Sequence, residues 1–260
     1  TQFHMDIAAS IQEVTEDVML KITNSLASEY NIENLCLAGG VALNCVANGK
    51  ILRNGKFKNI WIQPAAGDAG GSIGAALGLW HIELKKNRTI NVEDGMSGSY
   101  LGPEYSQNEV EKKLKELGTN FEVLDDEQLF EKTALELSNG KTVGWFQGRM
   151  EFGPRALGNR SILGDARSEN MQKILNLKVK FRESFRPFAP SIIREDLPTW
   201  FNLNCDSPYM LLVSDVVSDK RRVMTEKEKA LFGIDKLNVK RSDIPAVTHV
   251  DYSARVQTVH

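Results

Sequence analysis

The segment NLCLAGGVALN, residues 34–44, decides how the first part of this chain is interpreted. A short apolar run ends in Gly39 and Gly40, and a helical pattern follows to about residue 52. The same order recurs once, since NIWIQ at residues 59–63 precedes the glycine-rich turn PAAGDAGGS and a further helix. Strand, glycine turn and helix in repeated order predict an α/β fold of the nucleotide-handling kind.

The sequence before and after these units extends the prediction. Apolar residues recur at spacings of three and four before the first strand, which predicts one long helix. These residues are Ile7, Ile11, Val14, Val18, Ile22 and Leu26. From about residue 87 to residue 103 the pattern gives way to Asn, Asp, Gly, Ser and Pro, which is typical of a linker between domains.

Beyond the linker the chain mixes predicted helices and strands. The helices are predicted at residues 108–117, 126–137 and 170–179. The strands are predicted over KTVGWFQG (141–148), SPYMLLVSDVV (207–217) and AVTHVDYSARVQTV (246–259). We therefore expect an α/β first domain at residues 1–90, a linker at 91–103 and an α+β second domain at 104–260.

Composition restricts the classes of function. The 260 residues carry 32 Lys and Arg against 34 Asp and Glu, and this near-neutral charge argues against a general nucleic-acid-binding surface. No apolar run approaches the roughly 20 residues that cross a bilayer, and no signal-peptide pattern is present. The three cysteines include no CxxC pair, which predicts a reduced, cytoplasmic protein. The chain begins at Thr1 and stops within a predicted strand, so we expect an internal piece of a longer protein.

The two glycine turns of the first domain are candidate ligand sites. Glycines at a strand-to-helix junction let the backbone approach a phosphate or an adenine ring. Asn44 and Asn48, four residues apart, could hydrogen-bond one ligand from a shared helix face. Asp68 lies between glycines, where its carboxylate could bind a cation. Equally, the glycines could serve close packing and Asp68 could cap the helix.

A second candidate site is the basic segment from Arg149 to Arg186, with nine Lys or Arg against four Asp or Glu, an excess of five. Guanidinium groups suit bidentate contact with phosphate or carboxylate, and Gly and Pro shape the two loops GRMEFGPRALGNRS and KFRESFRPFAP. The alternative is a set of surface ion pairs with Glu151, Asp165, Glu169 and Glu183. An anion site is favoured because surface pairs contribute only about 0–1 kcal/mol each and need no such loops.

The histidines provide little support for a metal site within this chain. His4, His81, His249 and His260 are scattered and form no HxxH or HExxH spacing. His249, on a predicted strand, could line a pocket. Cys36 and Cys45 are interpreted as core residues.

Several motifs together resemble the O-carbamoyltransferases, which include enzymes that carbamoylate nodulation factors, cephem antibiotics and aminoglycosides. The motifs are LAGGVALNCVANGKI, AAGDAGGSIGAAL, GRMEFGPRALGNRSIL, FRESFRPFAPSI, SPYML and PAVTHVDYSARVQTV. The resemblance implies the C-terminal part of an actin-like ATPase (ASKHA) domain followed by most of a YrdC-like domain. It further implies that carbamoyl phosphate and ATP give carbamoyl-adenylate in the second domain. The first domain, with a bound metal, then passes the carbamoyl group to a hydroxyl of a small-molecule acceptor.

The resemblance also implies roles for individual residues. Gly39, Gly40 and Asn44 would contact the adenylate, and Asp68 would bind a divalent metal, Fe or Mg. The residues implied to bind carbamoyl phosphate and the ATP phosphates are Arg149, Arg155, Arg160, Lys180, Arg182 and Arg186. Of these, Arg155, Lys180 and Arg186 are the expected catalytic residues. His249 and Arg255 would line the same pocket.

Some expected features of the family lie outside this sequence. The histidine pair that supplies the other metal ligands would lie upstream, and an Asn-Thr-Ser motif of the nucleotide site would lie beyond His260. We therefore do not expect activity from this piece alone. No membrane or nucleic-acid partner is expected, and a homodimer is compatible with the sequence. The alternatives are an RNA-binding YrdC-like module and a sugar or acetate kinase of the actin-like fold.

Overall fold

The computed structural model describes residues 1–90 and 94–260, and it begins with the predicted long helix. Helix α1 spans Gln2–Tyr30 and ends at Asn31, whose backbone adopts the left-handed conformation with φ of 49°. The apolar stripe that predicted α1 is exposed on its surface, as Ile11 at 64% illustrates. A different face, with Met19, Leu20 and Ala27, packs against the core residues Leu35, Ile51 and Phe57.

The two strand–turn–helix units form as the sequence predicts. Strands β1 (Asn34–Leu37) and β2 (Asn59–Ile62) pair in parallel, and each is followed by a helix. Helix α2 spans Cys45–Asn54 and helix α3 spans Asp68–Gly78. The prediction placed the start of α2 too early, because residues 40–43 form a 3-10 turn and Asn44 caps the helix instead of lying within it.

Two capped helices and a hairpin follow. Helix α4 (Gln107–Glu116) begins with a capping box formed by Ser106 and Glu109, and helix α5 (Asp126–Ser138) is capped by Asp125. Strands β3 (Val143–Phe146) and β4 (Arg160–Leu163) are antiparallel, and the glycine- and arginine-rich loop connects them. This hairpin therefore brings both ends of the loop together.

The last third of the chain forms a three-stranded sheet with short helices around it. The elements in chain order are α6 (Met171–Ile174), β5 (Ser191–Ile193), α7 (Leu197–Trp200), β6 (Leu212–Asp215), α8 (Glu226–Lys229), α9 (Ile234–Leu237) and β7 (Ser253–Val259). A π-helical turn at residues 175–179 continues α6, so helical backbone covers most of the helix predicted at residues 170–179. Strand β7 is central, parallel to β5 and antiparallel to β6. The predicted strand from residue 246 starts only at Ser253, because residues 249–252 form a turn.

One hydrophobic cluster joins the first units to this sheet. It contains Ala42 and Ile62 from the first part together with Leu211 and Val256 from the sheet. Asn48 of α2, fully buried, donates from Nδ2 to the carbonyls of Ala42 (2.8 Å) and Leu211 (3.1 Å). A Cβ on the neighbouring Gly49 would lie 2.4 Å from the Val213 carbonyl oxygen, so only glycine permits this close approach of α2 to β6.

The architecture confirms an α/β chain with mixed helices and small sheets. The actin-like and YrdC-like assignments and the domain boundary remain predictions, and residues 91–93 of the predicted linker lie outside the described residues. Later in that linker, Met96 and Ser99 are buried. None of the helices in the described ranges combines the length and the hydropathy needed to cross a membrane.

Candidate anion-binding site

The loop between β3 and β4 is built around one buried carboxylate. Glu151 accepts hydrogen bonds at Oε1 from the backbone N–H groups of Leu157 (2.8 Å), Asn159 (2.8 Å) and Arg160 (3.3 Å). Burial raises the pKa of Glu151, but these backbone donors outweigh burial and lower the pKa overall. The ionised Glu151 therefore holds the loop in one conformation, and it forms no surface ion pair among the described residues.

This loop packs against the first strand–turn–helix units. Gly153 has φ of 134°, and a Cβ at this position would lie 3.1 Å from the Pro64 carbonyl oxygen just after β2. Arg155 donates from Nη2 to the Leu43 carbonyl at 3.1 Å, just before α2. On the other side, Gln257 of β7 donates to the Leu157 carbonyl at 2.8 Å. The loop is thus held between the carboxyl ends of β1 and β2 and the central strand of the sheet.

Three arginines from separate parts of the chain lie near enough for the charges of two of them to act on the third, and we call Arg155, Arg182 and Arg255 the inner arginine cluster. Burial and the positive charge of Arg155 lower the pKa of Arg255, and Arg182 and the Cys45 thiol are also near enough to affect it. The Nε atoms of Arg155 and Arg255 are buried and lack a hydrogen-bond partner within residues 1–90 and 94–260. Because buried donors are normally paired, two unpaired guanidinium nitrogens beside one loop mark it as a candidate binding site.

Arg182 reaches the cluster from the RESFRP loop. Its Nε donates to Asn176 Oδ1 at 2.7 Å, and its guanidinium lies 5.0 Å from the centre of the Phe188 ring. Asn176 is fully buried and also donates to the carbonyls of Ser184 and Arg186, which fixes the loop. Burial lowers the pKa of Arg182, and the charge of Arg186 lowers it further.

His249 lies one turn before β7 and is held by a chain of hydrogen bonds. Ser253 Oγ donates to Asp251 Oδ1 at 2.7 Å and lies 3.2 Å from His249 Nδ1. Burial lowers the pKa of His249, and Arg255 and Arg241 add to this effect while Asp251 opposes it. Nε2 of His249 is buried with no partner in the described part of the chain.

Arg241 supports the backbone of the turn that carries His249. It is 2% exposed and donates to the carbonyls of Lys236 (2.6 Å), Thr248 (3.0 Å) and His249 (3.0 Å). Burial lowers its pKa, although Tyr252 and Asp251 oppose this change. Arg241 therefore acts as a positioning residue for the turn that carries His249.

The other basic residues of the predicted site have different surroundings. Arg160 donates to four carbonyls, those of Gln147, Gly148, Asn159 and Pro103, and stacks 3.5 Å from the Phe146 ring centre. Its donors are engaged in closing the hairpin. Arg149, Lys180 and Arg186 are exposed, and Arg186 is near enough to Arg182 for its charge to lower the pKa of Arg182. Their roles in binding remain predictions.

Surface ion pairs engage several of the exposed arginines, as the surface-pair alternative predicted for Asp165 and Glu183. Arg149 lies 3.5 Å from Glu104, and Arg186 lies 2.7 Å from Glu183. Arg167 pairs with Asp165 at 2.8 Å, whereas Glu169 pairs with Lys240 at 3.0 Å. The arginines of the 149–186 segment thus include surface residues in ion pairs, Arg160 bonded to backbone carbonyls, and two members of the inner cluster, Arg155 and Arg182.

The first glycine turn lies at the carboxyl end of β1. Gly39 has φ of 96°, and a Cβ on Gly39 or Gly40 would meet no atom of the described residues within 4 Å, so the turn is open. Asn44 caps α2 by accepting from the Ala47 N–H, and its side chain exchanges two hydrogen bonds with Gln12 of α1. Because Asn44 is the cap and Asn48 is buried, the two do not present one ligand-binding face, and that expectation is wrong. Contact of Gly39, Gly40 and Asn44 with an adenylate remains a prediction.

Asp68 is the first residue of α3 and is exposed. Among the described residues, no group of three or more His, Cys, Asp or Glu side chains is close enough to hold a metal. The residues near Asp68 therefore do not form a metal site by themselves, and its role as a ligand for Fe or Mg remains a prediction.

Sequence reasoning missed several residues that build the site. It considered Glu151 only as an ion-pair partner and Cys45 only as a core residue, and it did not identify Asn176 or Ser253. The available signal for Glu151 was its place at the start of a glycine-rich loop, where exposed N–H groups need an acceptor. No comparable local signal marks Cys45, since its neighbour Arg255 is 210 positions away in the sequence.

Comparison with known families finds two that match this chain. The family described as Carbamoyltransferase N-terminus matches residues 1–77, and the family described as Carbamoyltransferase C-terminus matches residues 134–260. The second match contains all three members of the inner arginine cluster. The first contains both glycine turns and Asp68.

Individual relatives match the chain throughout. An uncharacterized protein of Synechocystis sp. is 59% identical over 262 residues, covering all of this chain and 43% of that protein. Nodulation protein NolNO of Sinorhizobium fredii is 39% identical over 263 residues, covering 100% of this chain and 35% of NolNO. Nodulation protein NolO of Bradyrhizobium diazoefficiens is 38% identical over 260 residues, covering 100% and 44%. The chain spans less than half the length of each relative. With both family matches and these relatives in agreement, the chain belongs to the carbamoyltransferase family.

Proposed function

We propose that the inner arginine cluster binds carbamoyl phosphate and that the protein converts it, with ATP, to carbamoyl-adenylate. The carbamoyl group then passes to a hydroxyl of a small-molecule acceptor. The observation that carries the proposal is the pair of buried Nε atoms on Arg155 and Arg255, which have no acceptor among the described residues. The two guanidinium groups are close enough for the charge of Arg155 to lower the pKa of Arg255. A dianion bound between them offsets this repulsion.

The chemistry of the reaction fits this arrangement. For the atoms to balance, water releases phosphate from carbamoyl phosphate, and an oxygen of the resulting carbamate attacks the α-phosphorus of ATP, with pyrophosphate leaving. Negative charge remains on phosphoryl oxygens throughout, and fixed guanidinium groups stabilise such charge. Arg155 is held by its hydrogen bond to the Leu43 carbonyl, and Arg255 lies on the central strand β7, so little backbone reorganisation is needed when the substrate binds.

The position of the site supports a two-part reaction. The loop that carries Arg155 packs against Leu43 and Pro64, at the carboxyl ends of β1 and β2. Ligands of α/β folds bind at this edge of a parallel sheet. An adenylate formed at the inner cluster would therefore lie near Gly39 and Gly40. No step through a metal is assigned, because the described residues do not form a metal site.

The RNA-binding alternative has less support. It predicts arginines along an extended exposed face, whereas Arg155, Arg182 and Arg255 are half-buried, and the charges of the first two act on the third. The kinase alternative assigns no role to these arginines. Neither alternative accounts for the buried Nε atoms.

Calorimetric titration of this chain with carbamoyl phosphate and with inorganic phosphate tests the proposal. We expect carbamoyl phosphate to bind more tightly than phosphate, and we expect Arg155→Ala to weaken its binding by roughly 1.5–3 kcal/mol. Equal binding of both ligands, unaffected by the substitution, would contradict the proposal. Adenylation is tested in the longer Synechocystis relative by pyrophosphate release that depends on carbamoyl phosphate and on the arginine that matches Arg155.

A further inference from the structure

The hydrogen bonds around His249 determine which of its nitrogens carries a proton. Asp251 accepts from both the backbone N–H (3.1 Å) and Oγ of Ser253 (2.7 Å), and these donors, with His249, lower its pKa against the opposing effect of burial. Asp251 is therefore ionised, and the single hydroxyl proton of Ser253 points to it. Ser253 Oγ can then only accept from His249 Nδ1, so Nδ1 carries the proton.

The opposite nitrogen of the ring is consequently an acceptor. Burial and the nearby positive charges of Arg255 and Arg241 keep His249 neutral, because both effects lower its pKa. With the proton on Nδ1, Nε2 carries a lone pair. This Nε2 is buried and has no donor within the described ranges.

His249 lies beside the inner arginine cluster. Ser253 and Arg255 are two residues apart on β7, so their side chains lie on the same face of the sheet. The imidazole is anchored to the first of these side chains and is close enough to the second to be affected by its charge. A site composed of arginine donors thus has one neutral acceptor at its edge.

The hydrogen-bonding groups of carbamoyl phosphate match this arrangement of several arginine donors and one acceptor. Its phosphate and carbonyl oxygens accept hydrogen bonds and match guanidinium groups, whereas its amino group can only donate. We propose that His249 Nε2 accepts a hydrogen bond from this amino group and thereby selects carbamoyl phosphate over acyl phosphates that lack an N–H. This inference deepens the proposed function and rests on it. Ser253, Asp251 and Arg241 are positioning residues for this acceptor.

Acetyl phosphate is the matched probe, because a methyl group replaces the amino group and the rest of the molecule is the same. We expect the chain to bind carbamoyl phosphate about tenfold more tightly than acetyl phosphate, the size of one well-placed hydrogen bond. His249→Phe, which keeps an aromatic ring without an acceptor, should reduce this preference to about twofold or less and leave the affinity for acetyl phosphate unchanged.

Two further variants separate the acceptor from the shape of the side chain. His249→Gln places an amide oxygen near the position of Nε2 and should retain most of the preference. Ser253→Ala removes the group that holds the proton on Nδ1 and should reduce the preference without abolishing it. His4→Phe, on the exposed surface of α1, is the matched control and should bind as the unmodified chain does. Circular dichroism of each variant reports whether the fold is retained.

The possible results distinguish this inference from the proposed function. If carbamoyl phosphate binds in a manner that depends on Arg255 but His249→Phe and Ser253→Ala both keep the full preference, only the role of His249 is overturned. If His249→Phe instead weakens ATP binding and leaves the preference intact, His249 faces the nucleotide, and the inference is wrong. If no phosphate compound binds the unmodified chain, the proposed function fails, and this inference fails with it.

Discussion

The inner arginine cluster and the paired arginines of the surface have opposite surroundings, although two members of the cluster lie in the same 149–186 segment as the surface arginines. Arg149, Arg167 and Arg186 lie near the carboxylates of Glu104, Asp165 and Glu183 and are exposed. Arg155 and Arg255 are half-buried, and their Nε atoms have no partner in the described part of the chain. Exposed pairs contribute about 0–1 kcal/mol, whereas unpaired buried donors are costly unless a ligand binds them. The side chain type is the same, so burial and partners decide the role.

The largest expected effect comes from the carboxylate that shapes the inner loop. Glu151→Ala leaves the backbone N–H groups of Leu157, Asn159 and Arg160 without their acceptor, and we expect the free energy of unfolding to fall by about 3 kcal/mol or more. Urea denaturation measures this change. Glu183→Ala, which removes an exposed carboxylate from the surface group, is the control and should change stability by less than about 1 kcal/mol. Similar losses in both variants would remove the distinction between the two regions.

The second expected effect is weaker binding of carbamoyl phosphate with no loss of stability of the fold. Arg255→Met should weaken carbamoyl phosphate binding by roughly 1.5–3 kcal/mol, and it should not destabilise the fold, because it removes a half-buried charge that Arg155 repels. Calorimetry and thermal unfolding of the same preparation measure both quantities. A variant that lost stability along with binding would indicate a structural role for Arg255.

Arg186→Met sharpens the same comparison. From its exposed ion pair with Glu183 we expect a weaker effect on carbamoyl phosphate binding than that of Arg255→Met, by about 1 kcal/mol or more. An equal effect would place Arg186 within the binding site, as the sequence resemblance predicted. Calorimetry of the two variants under one set of conditions decides between these results.

The acid stability of the fold tests the burial of His249. Its pKa is lowered in the folded state, so the unfolded chain binds a proton first as the pH falls below the ordinary value near 6.5. Stability should therefore be lost on acidification through this range, with a slope of at most about 1.4 kcal/mol per pH unit for one proton. Denaturant unfolding between pH 7.5 and 5.5 measures the slope, and His249→Phe should reduce it. An unchanged slope in this variant would show that His249 is not the titrating group.

The smallest effect is expected for a surface arginine outside both candidate loops. Arg167→Ala removes an ion pair in which the Arg167 side chain is 68% exposed. We expect less than about 1 kcal/mol of change in the free energy of unfolding and unchanged affinity for carbamoyl phosphate. A marked loss of affinity would show that the positive charge of Arg167 contributes to binding from outside the inner arginine cluster.

Local sequence patterns predicted much of the fold. The spacing of apolar residues indicated α1, and the glycine turns located β1, β2 and the helices after them. Helix boundaries were predicted less accurately where a side chain caps the backbone. Asn44, for example, follows the 3-10 turn and caps α2. The orientation of α1 was also not evident, because periodicity identifies a helix but not the surface on which it packs.

The candidate site was predictable only in part. Through their resemblance to a family the motifs predicted Arg155, Arg182, His249 and Arg255 as binding residues, but they could not separate these residues from Arg149 or Arg160. Arg160 has the same chemistry and lies five residues from Arg155, yet its donors are directed to backbone carbonyls of the hairpin. This difference depends on the course of the backbone, which no local pattern encodes.

The sequence by itself determined the family, the α/β class and the supply of guanidinium groups, because these depend on residue types and their spacing. Only the tertiary structure decided which guanidinium groups meet, since Arg155, Arg182 and Arg255 come from a loop, a second loop and the central strand. It also decided the protonation of His249, because the proton on Nδ1 follows from the hydrogen bonds of Ser253 and Asp251. Burial and partners are properties of the folded chain, and they determine which charges are left available for a ligand.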